Sequence, residues 1–360
     1  MHITQLQLLH FKNHRSLELT FHSKLNALCG QNGRGKTNIL DAIHYLSVCK
    51  SYINPIDKQN ILHGESFYSI SGTIEQDKDS IELLCMFKEG NKKVFKKNQV
   101  KYEKLSDHIG VFPVVFVSPY DGDLIAEGGE IRRRWLDHIL SQVDRNYLTN
   151  LIQFHRLLLQ RNAVLKRIHA NQDALSSLEI WDEQLVLVSS QLHERRKAFI
   201  EVFLPVFNAQ YALLGEPTEK VEVGYKSDLN TGDFAQKLKL SLEKDVNLQY
   251  TSLGIQKDDL LFALNGYPIK KFGSQGQQKS FIVALRLAQY QYLKDAIGKR
   301  PVLLLDDVFD RLDFSRVSKL LAIVSQDPFG QVIITDTDPN RLEKLLKDIT
   351  KDYQLIEISA

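Results

Sequence analysis

The string Gly30-Gln31-Asn32-Gly33-Arg34-Gly35-Lys36-Thr37 constrains this chain more than any other feature. It fits the pattern G-x4-G-K-[ST], and its surroundings fit as well. Leu25 to Cys29 reads as a short apolar strand, and Ile39, Leu40, Ala42, Ile43, Leu46 and Val48 recur at helical spacing. The order is strand, glycine loop, helix. The glycines allow a tight backbone that aims successive N–H groups at phosphate oxygens. Lys36 supplies positive charge to the β and γ phosphates, and its side chain is expected to be exposed without nucleotide. Thr37 offers a hydroxyl to Mg²⁺. The reading is a nucleotide phosphate site in an α/β fold.

Two later segments extend it. Val302-Leu303-Leu304-Leu305 is a continuous apolar run ending in Asp306-Asp307, as suits a strand of a parallel sheet buried on both faces. In phosphate-loop proteins the first such carboxylate orders the Mg²⁺ shell and the second aligns or deprotonates water. Read alone, the pair is equally a surface turn after a core strand. Phe272-Gly273-Ser274-Gln275-Gly276-Gln277-Gln278-Lys279 precedes a helical pattern, with Ser274 placed as an N-cap. Phosphate loop, long interval, Ser-x-Gly-Gln turn, helix and acidic strand form the layout of ABC ATPases.

The rest of the chain organises around these parts. Short alternating runs, Ile3–Leu8, Leu17–Phe21, 67–74, 80–88 and 111–117, read as strands. Lys88, Lys92, Lys93, Lys96, Lys97, Lys101 and Lys104 make one stretch basic. From Glu130 to Leu204 there is neither glycine nor proline, and Trp181, Leu185, Val188, Leu192, Phe199 and Val202 trace a heptad-like seam. A break at 170–177 gives two long antiparallel helices; a compact bundle is the other reading. The net charge is +2, so any nucleic-acid surface must be local. No apolar run reaches the ~18–20 residues that span a bilayer. Met1-His2-Ile3-Thr4-Gln5 resembles no export signal, and three cysteines at 29, 49 and 85 form no metal spacing. The expectation is a reduced, cytoplasmic protein.

The loop 30–38, the turn 273–279 and Leu303–Val308 together resemble the RecF family of bacterial DNA replication and repair ATPases. Ser118-Pro119-Tyr120-Asp121-Gly122-Asp123-Leu124 running into Arg132-Arg133-Arg134-Trp135-Leu136-Asp137, and Gly254-Ile255-Gln256-Lys257-Asp258-Asp259-Leu260, are similar to the family too. The resemblance implies an ABC-type P-loop ATPase head made by both chain ends (1–120 and 215–360) with an inserted α-helical lobe (121–214). It implies a weak, DNA-stimulated ATPase using ATP and Mg²⁺, ATP-driven homodimers, and binding to double-stranded, gapped or junction DNA. It also implies RecR and RecO as partners, RecA loading, and a place in replication, repair and the SOS response to DNA damage.

Carried over by residue, 30–37 bind the triphosphate, with Lys36, Asp306 and Asp307 catalytic. Thr37 and Asp306 hold Mg²⁺, and Ser274, Gln275, Gly276 and Gln277 act in trans on the other subunit's nucleotide. Asp310 and Asp313 belong to a dimer loop. Departures are Glu127 where lysine is common, Gln256-Lys257 for His-Arg, and Thr335-Asp336 where transporter ATPases carry a histidine. Lys50, Arg132, Arg133, Arg134, Arg156, Arg161, Lys166, Arg167 and Arg195 to Lys197 are candidate DNA contacts, with a solvated helix face as the equal reading for each. The alternatives are a structural SMC-like tether, whose arms would be far longer, a transporter ABC subunit, whose loop-to-turn interval is about half as long, and a nuclease-fused ATPase, for which too little chain follows Asp307.

Overall fold

The computed structural model describes residues 1–77, 79–167, 174–216, 218–307, 314–326, 329–350 and 352–358. The chain divides into two compact units, Met1–Asp121 with Leu213–Glu216 and Gln275–Ala360, and Gly122–Ala212 with Pro217–Ser274. The first is here the head and the second the inserted unit.

The head has two sheets with one helix between them. Five parallel strands run in the order Tyr353–Glu357, Leu25–Cys29, Val332–Asp336, Val302–Leu305 and Val114–Val117. The three central ones are buried throughout, which is why their sequences are unbroken apolar runs rather than alternations. The second sheet is antiparallel, ordered His14–Thr20, His2–Phe11, Phe67–Gln76, Asp79–Lys88, Val94–Lys97 and Val100–Lys101. Its strands alternate buried and open residues, as one covered face requires. The helix Lys36–Val48 fills the space between: residues 39 to 47 are all buried, and its apolar side chains share one core with Leu6, Ile70, Leu304 and Ile333. Gly72 lets the antiparallel sheet approach this helix, since a Cβ there would lie 2.6 Å from Leu46.

The inserted unit has helices Gly129–Val143, Arg145–Leu165 and most of Ala174–Leu214, plus an antiparallel sheet of Val221–Lys226, Asp259–Leu264 and Tyr267–Pro268. Trp135, Phe199, Phe203 and Phe262 form its aromatic centre. This differs from the expected boundaries in two ways. Residues 217–274, expected with the head, cluster with the inserted unit, because the strand Asp259–Leu264 packs on the helix Gly129–Val143 and its aspartates bind arginines of the helices. The glycine-free stretch is also not one long helix before its break. Asp144 accepts from the N–H groups of Asn146 and Tyr147 at 2.9 and 3.0 Å, so a carboxylate cap restarts the helix where no glycine marks an end. Of the seam, Leu185, Val188, Leu192 and Phe199 are buried, whereas Val202 is 60% exposed and Phe203 takes the core position. Among the described residues no helix is long and apolar enough to cross a membrane.

Candidate active site

Parallel register brings the site together. Leu305 pairs with both Val117 and Ile334, and Asp336 pairs with Cys29. The carboxyl ends of these strands therefore share one edge of the sheet, where open α/β sheets bind ligands. Gly30, Asp306 and Thr335 lie there, although hundreds of residues separate the first from the others in sequence.

In the loop, Gln31, Asn32 and Gly33 are exposed, while Gly35 is buried with φ 86°. A side chain at Gly35 would be strained in that left-handed conformation and would also lie 2.4 Å from His14 Nε2. The sharp turn before His14 supports the loop: Asn13 Nδ2 donates to the Gly33 carbonyl at 3.3 Å, and Asn38 donates to Asn13 Oδ1 at 2.7 Å. His14 Nε2 lies 3.1 Å from the Gly35 carbonyl, and burial holds His14 below the usual histidine range, so it serves as a neutral donor there. Lys12 pairs with the buried Asp41 at 2.5 Å. Nothing local in the sequence of Lys12–His14 shows that it folds onto the loop.

Lys36 corrects the expectation of an exposed side chain. It is 5% exposed, and its ammonium donates to the carbonyls of Gly30 and Gln31 at 2.7 and 3.1 Å. The loop's own carbonyls solvate the charge where no phosphate does.

Thr37 and Asp306, placed together by the sequence reading, meet: the threonine hydroxyl donates to Asp306 Oδ1 at 3.0 Å. The Thr335 hydroxyl donates to the same oxygen at 2.8 Å. Asp306 Oδ2 is buried with no hydrogen-bond partner among the described residues. Burial, with Asp307 adding like charge, pushes the Asp306 carboxyl up to about 6. Asp307 is half-buried, with φ 45°, and its backbone N–H donates to Thr335 Oγ1 at 2.9 Å.

The turn 273–276 begins the helix Gln275–Ile297, and the boundary between the units falls between Ser274 and Gln275. Ser274 and Gln275 are exposed, and Gly276 and Gln277 half-buried. A Cβ at Gly276 would lie 2.7 Å from the Arg316 guanidinium. Farther along this helix the buried Arg286 holds Asp121 through two bonds of 2.9 and 2.6 Å, and Tyr52 at 2.8 Å. Asp121 in the Ser118–Leu124 motif is therefore structural. Asp310 and Asp313 lie outside the described residues.

Most of the arginines offered as DNA contacts are engaged within the inserted unit. Arg132 grips Asp259 with two bonds of 2.7 and 3.0 Å and also donates to the carbonyls of Leu124 and Glu127. Arg133 donates to the Asp258 carbonyl at 2.5 Å. Arg161 is wholly buried against Asp182 and Asp245 at 2.6 and 2.7 Å. Arg196 reaches Asp137 and Asp258 at 2.8 and 2.6 Å. The correction has a plain cause: the arginine-rich helix and the Asp258-Asp259 turn, two separate motifs in sequence, are partners in space. Gln256 in that turn holds the Leu253 carbonyl at 2.7 Å. Arg134 differs, being exposed with only a 3.8 Å contact to Glu130.

The family model described as RecF/RecN/SMC N terminal domain matches residues 2–355. The DNA replication and repair protein RecF of Flavobacterium johnsoniae is 44% identical over 359 residues, which are 99% of this chain and 100% of that protein. The protein of the same name from Phocaeicola vulgatus is 42% identical, with 99% and 96% covered. The solved structure of the recombination mediator protein RecF-ATP in the RecFOR pathway matches with TM-score 0.88 and 28% identity over 94% of this chain and 92% of that one. The Smc head domain with an extended coiled coil from Pyrococcus furiosus matches with TM-score 0.56 and 15% identity over 99% and 93%, a likeness of fold alone. Fold and loop thus define the class, an α/β ATPase head of the ABC type shared by RecF and SMC proteins. Within that class, the chain belongs to the RecF family.

Proposed function

We propose that this chain binds ATP, dimerises on binding it, hydrolyses it slowly, and binds DNA at gaps or single-strand/double-strand junctions in recombinational repair and replication restart. The observation that carries the reading is the meeting of Thr37 with Asp306 at the sheet edge, beside a loop whose Lys36 ammonium donates to the carbonyls of Gly30 and Gln31. The full-length relatives called DNA replication and repair protein RecF, and the RecF-ATP structure of the RecFOR pathway, support ATP as the ligand and repair as the setting. RecO and RecR as partners, RecA as the protein loaded, a role in the SOS response and a cytoplasmic location follow from the same relationship.

The residues suit Mg²⁺ with a nucleotide. Mg²⁺ takes one or two carboxylates and leaves other positions to phosphates and water. Asp306 Oδ2 is a buried carboxylate oxygen without a partner, and Thr37 Oγ1 lies beside the same carboxylate. These two residues would hold the ion, which neutralises charge on the phosphate oxygens. Residues 30–37 wrap the phosphates with backbone N–H groups, and Lys36 turns its charge from loop carbonyls to them. Asp307 orients water and accepts its proton. Its carboxylate is one methylene shorter than the glutamate common at this place in ABC ATPases, which agrees with slow turnover. Ser274, Gln275, Gly276 and Gln277 complete the site held by a second copy. Of the candidates named from the sequence, Arg134, Arg156, Lys166, Arg167 and Lys197 in the inserted unit and Lys50 in the head are exposed and are assigned to DNA phosphates.

Sedimentation of the full chain with and without ATP and gapped DNA tests this reading. Expected are a monomer alone, a dimer with ATP, and a heavier ATP-dependent complex with DNA. A monomer under every condition would overturn it.

A further inference from the structure

The strand Val332–Asp336 lies between the loop strand and the acidic strand, so its carboxyl end can serve both. Its first three residues are apolar, and the next is Thr335, completely buried. A hydroxyl in such a strand costs desolvation unless it is used, and valine would fit the same space. This hydroxyl makes two short bonds, besides a 3.5 Å contact with Asp307 Oδ1. It donates its one proton to Asp306 Oδ1 at 2.8 Å and accepts the Asp307 N–H at 2.9 Å. A single side chain thereby ties together both members of the acidic pair.

Each bond has a consequence. Asp306 Oδ1 receives both Thr37 and Thr335, which fixes the carboxylate plane and leaves Oδ2 as the buried oxygen without a partner. Asp307 has φ 45°, a left-handed conformation that aspartate adopts more readily than most residues but still at a cost. The bond from its N–H to Thr335 offsets part of that cost at the point where the strand ends.

We propose that Thr335 is a positioning residue for the acidic pair: its hydroxyl presents the unpartnered oxygen of Asp306 to the metal that accompanies the nucleotide, and pins Asp307 in its left-handed turn. The proposal rests on the nucleotide reading above for its first half and on the nucleotide-free structure for its second.

The test compares the full chain with Thr335→Val, which keeps the shape and removes the hydroxyl, and Thr335→Ser, which keeps the hydroxyl. The first readout is the Mg²⁺ concentration that gives half the thermal stabilisation by a saturating non-hydrolysable ATP analogue. Outer-shell partners of metal ligands change metal affinity about 10–100-fold. That increase is expected for Thr335→Val, with Thr335→Ser close to wild type. The second readout needs neither metal nor nucleotide: amide hydrogen exchange at Asp307 should quicken about tenfold or more in Thr335→Val only. A purely structural role would lower melting temperature and leave the Mg²⁺ midpoint where it is. A folded Thr335→Val protein with wild-type midpoint and wild-type exchange overturns the proposal. If that variant does not fold, Thr335→Ala is measured in its place by the same two criteria. If the wild type itself gains no stability from the analogue, the nucleotide reading fails, and the exchange rate alone decides whether Thr335 holds Asp307.

Discussion

Asp306 in the head and Arg196 in the inserted unit are each 2% exposed, yet their charges are met differently. Arg196 donates to Asp137 and Asp258 at 2.8 and 2.6 Å, to the Tyr147 hydroxyl and to the Ile255 carbonyl. Among the described residues Asp306 accepts hydrogen bonds from the hydroxyls of Thr37 and Thr335 and makes no ion pair, with Asp307 as a like-charged neighbour and Lys36 a more distant opposite charge. Asp258 also keeps one oxygen without a hydrogen bond, but Arg196 matches its charge. A buried charge balanced by protein is architecture. One that meets no ion pair among the described residues is where a bound cation would supply the missing charge.

The largest effect expected from this contrast is kinetic. Asp307→Asn keeps the shape of the acidic pair and removes a proton acceptor. ATP turnover should fall about 10²–10⁴-fold, while dimers formed with ATP should live longer. Single-turnover hydrolysis and sedimentation check the two halves; unchanged turnover would place the base elsewhere.

In the inserted unit the same logic predicts a stability loss. Arg196→Met leaves Asp137 and Asp258 without their cation, and breaking a buried pair from one side costs about 3–5 kcal/mol. Denaturant unfolding should show it, and affinity for ATP should change little.

The head should respond in the opposite direction. The Asp306 carboxyl titrates near 6 when folded, above its ordinary 3.8, because burial disfavours the charge. The folded state therefore holds the proton more tightly than the unfolded state. The contribution of Asp306 to the stability of the nucleotide-free protein is full below about pH 4 and is lost as pH rises to 6. Two pH units correspond to about 3 kcal/mol at most. Asp306→Asn should remove this decline and raise the melting temperature above pH 6, at the cost of Mg²⁺-dependent nucleotide binding. Melting curves of both proteins from pH 4 to 8 decide it: a difference between them that stays constant across that window would mean that the Asp306 charge is compensated.

The smallest effect separates two adjacent arginines. Arg132→Ala breaks the two-bond grip on Asp259 and should cost about 1–3 kcal/mol of stability, with the salt dependence of DNA binding unaltered. Arg134→Ala should leave melting unchanged and reduce the slope of log K against log salt by about 0.9. If Arg132→Ala alone reduced that slope, its pairing with Asp259 would give way on DNA.

The loop, the acidic strand and their ABC order were legible because each is a continuous string whose chemistry is local: glycines for a tight turn, apolar residues for a strand buried on both sides. Even so, the surroundings of Lys36 were misjudged, since its burial depends on Gly30 and Gln31 turning their carbonyls inward. Thr335 was visible only as a residue standing where a histidine is absent. Its use of both aspartates arises from the register that sets Ile334 beside Leu305.

The sequence by itself determined the chemistry available: a phosphate-binding loop, a pair of carboxylates, a glycine-glutamine turn and a family. Those are properties of short segments, fixed by residue type and spacing. Tertiary structure alone decided which charges remain unbalanced. Arg132, Arg133, Arg161 and Arg196 read as free cations along the chain and are engaged once folded, because the turn carrying Asp258 and Asp259 packs on the helices of the inserted unit. Asp306 reads as one of two similar aspartates and becomes the oxygen without a partner, because parallel pairing places two threonines from distant segments on one side of it. Charge compensation acts across space at a few ångströms, and separation along the chain carries no information about it.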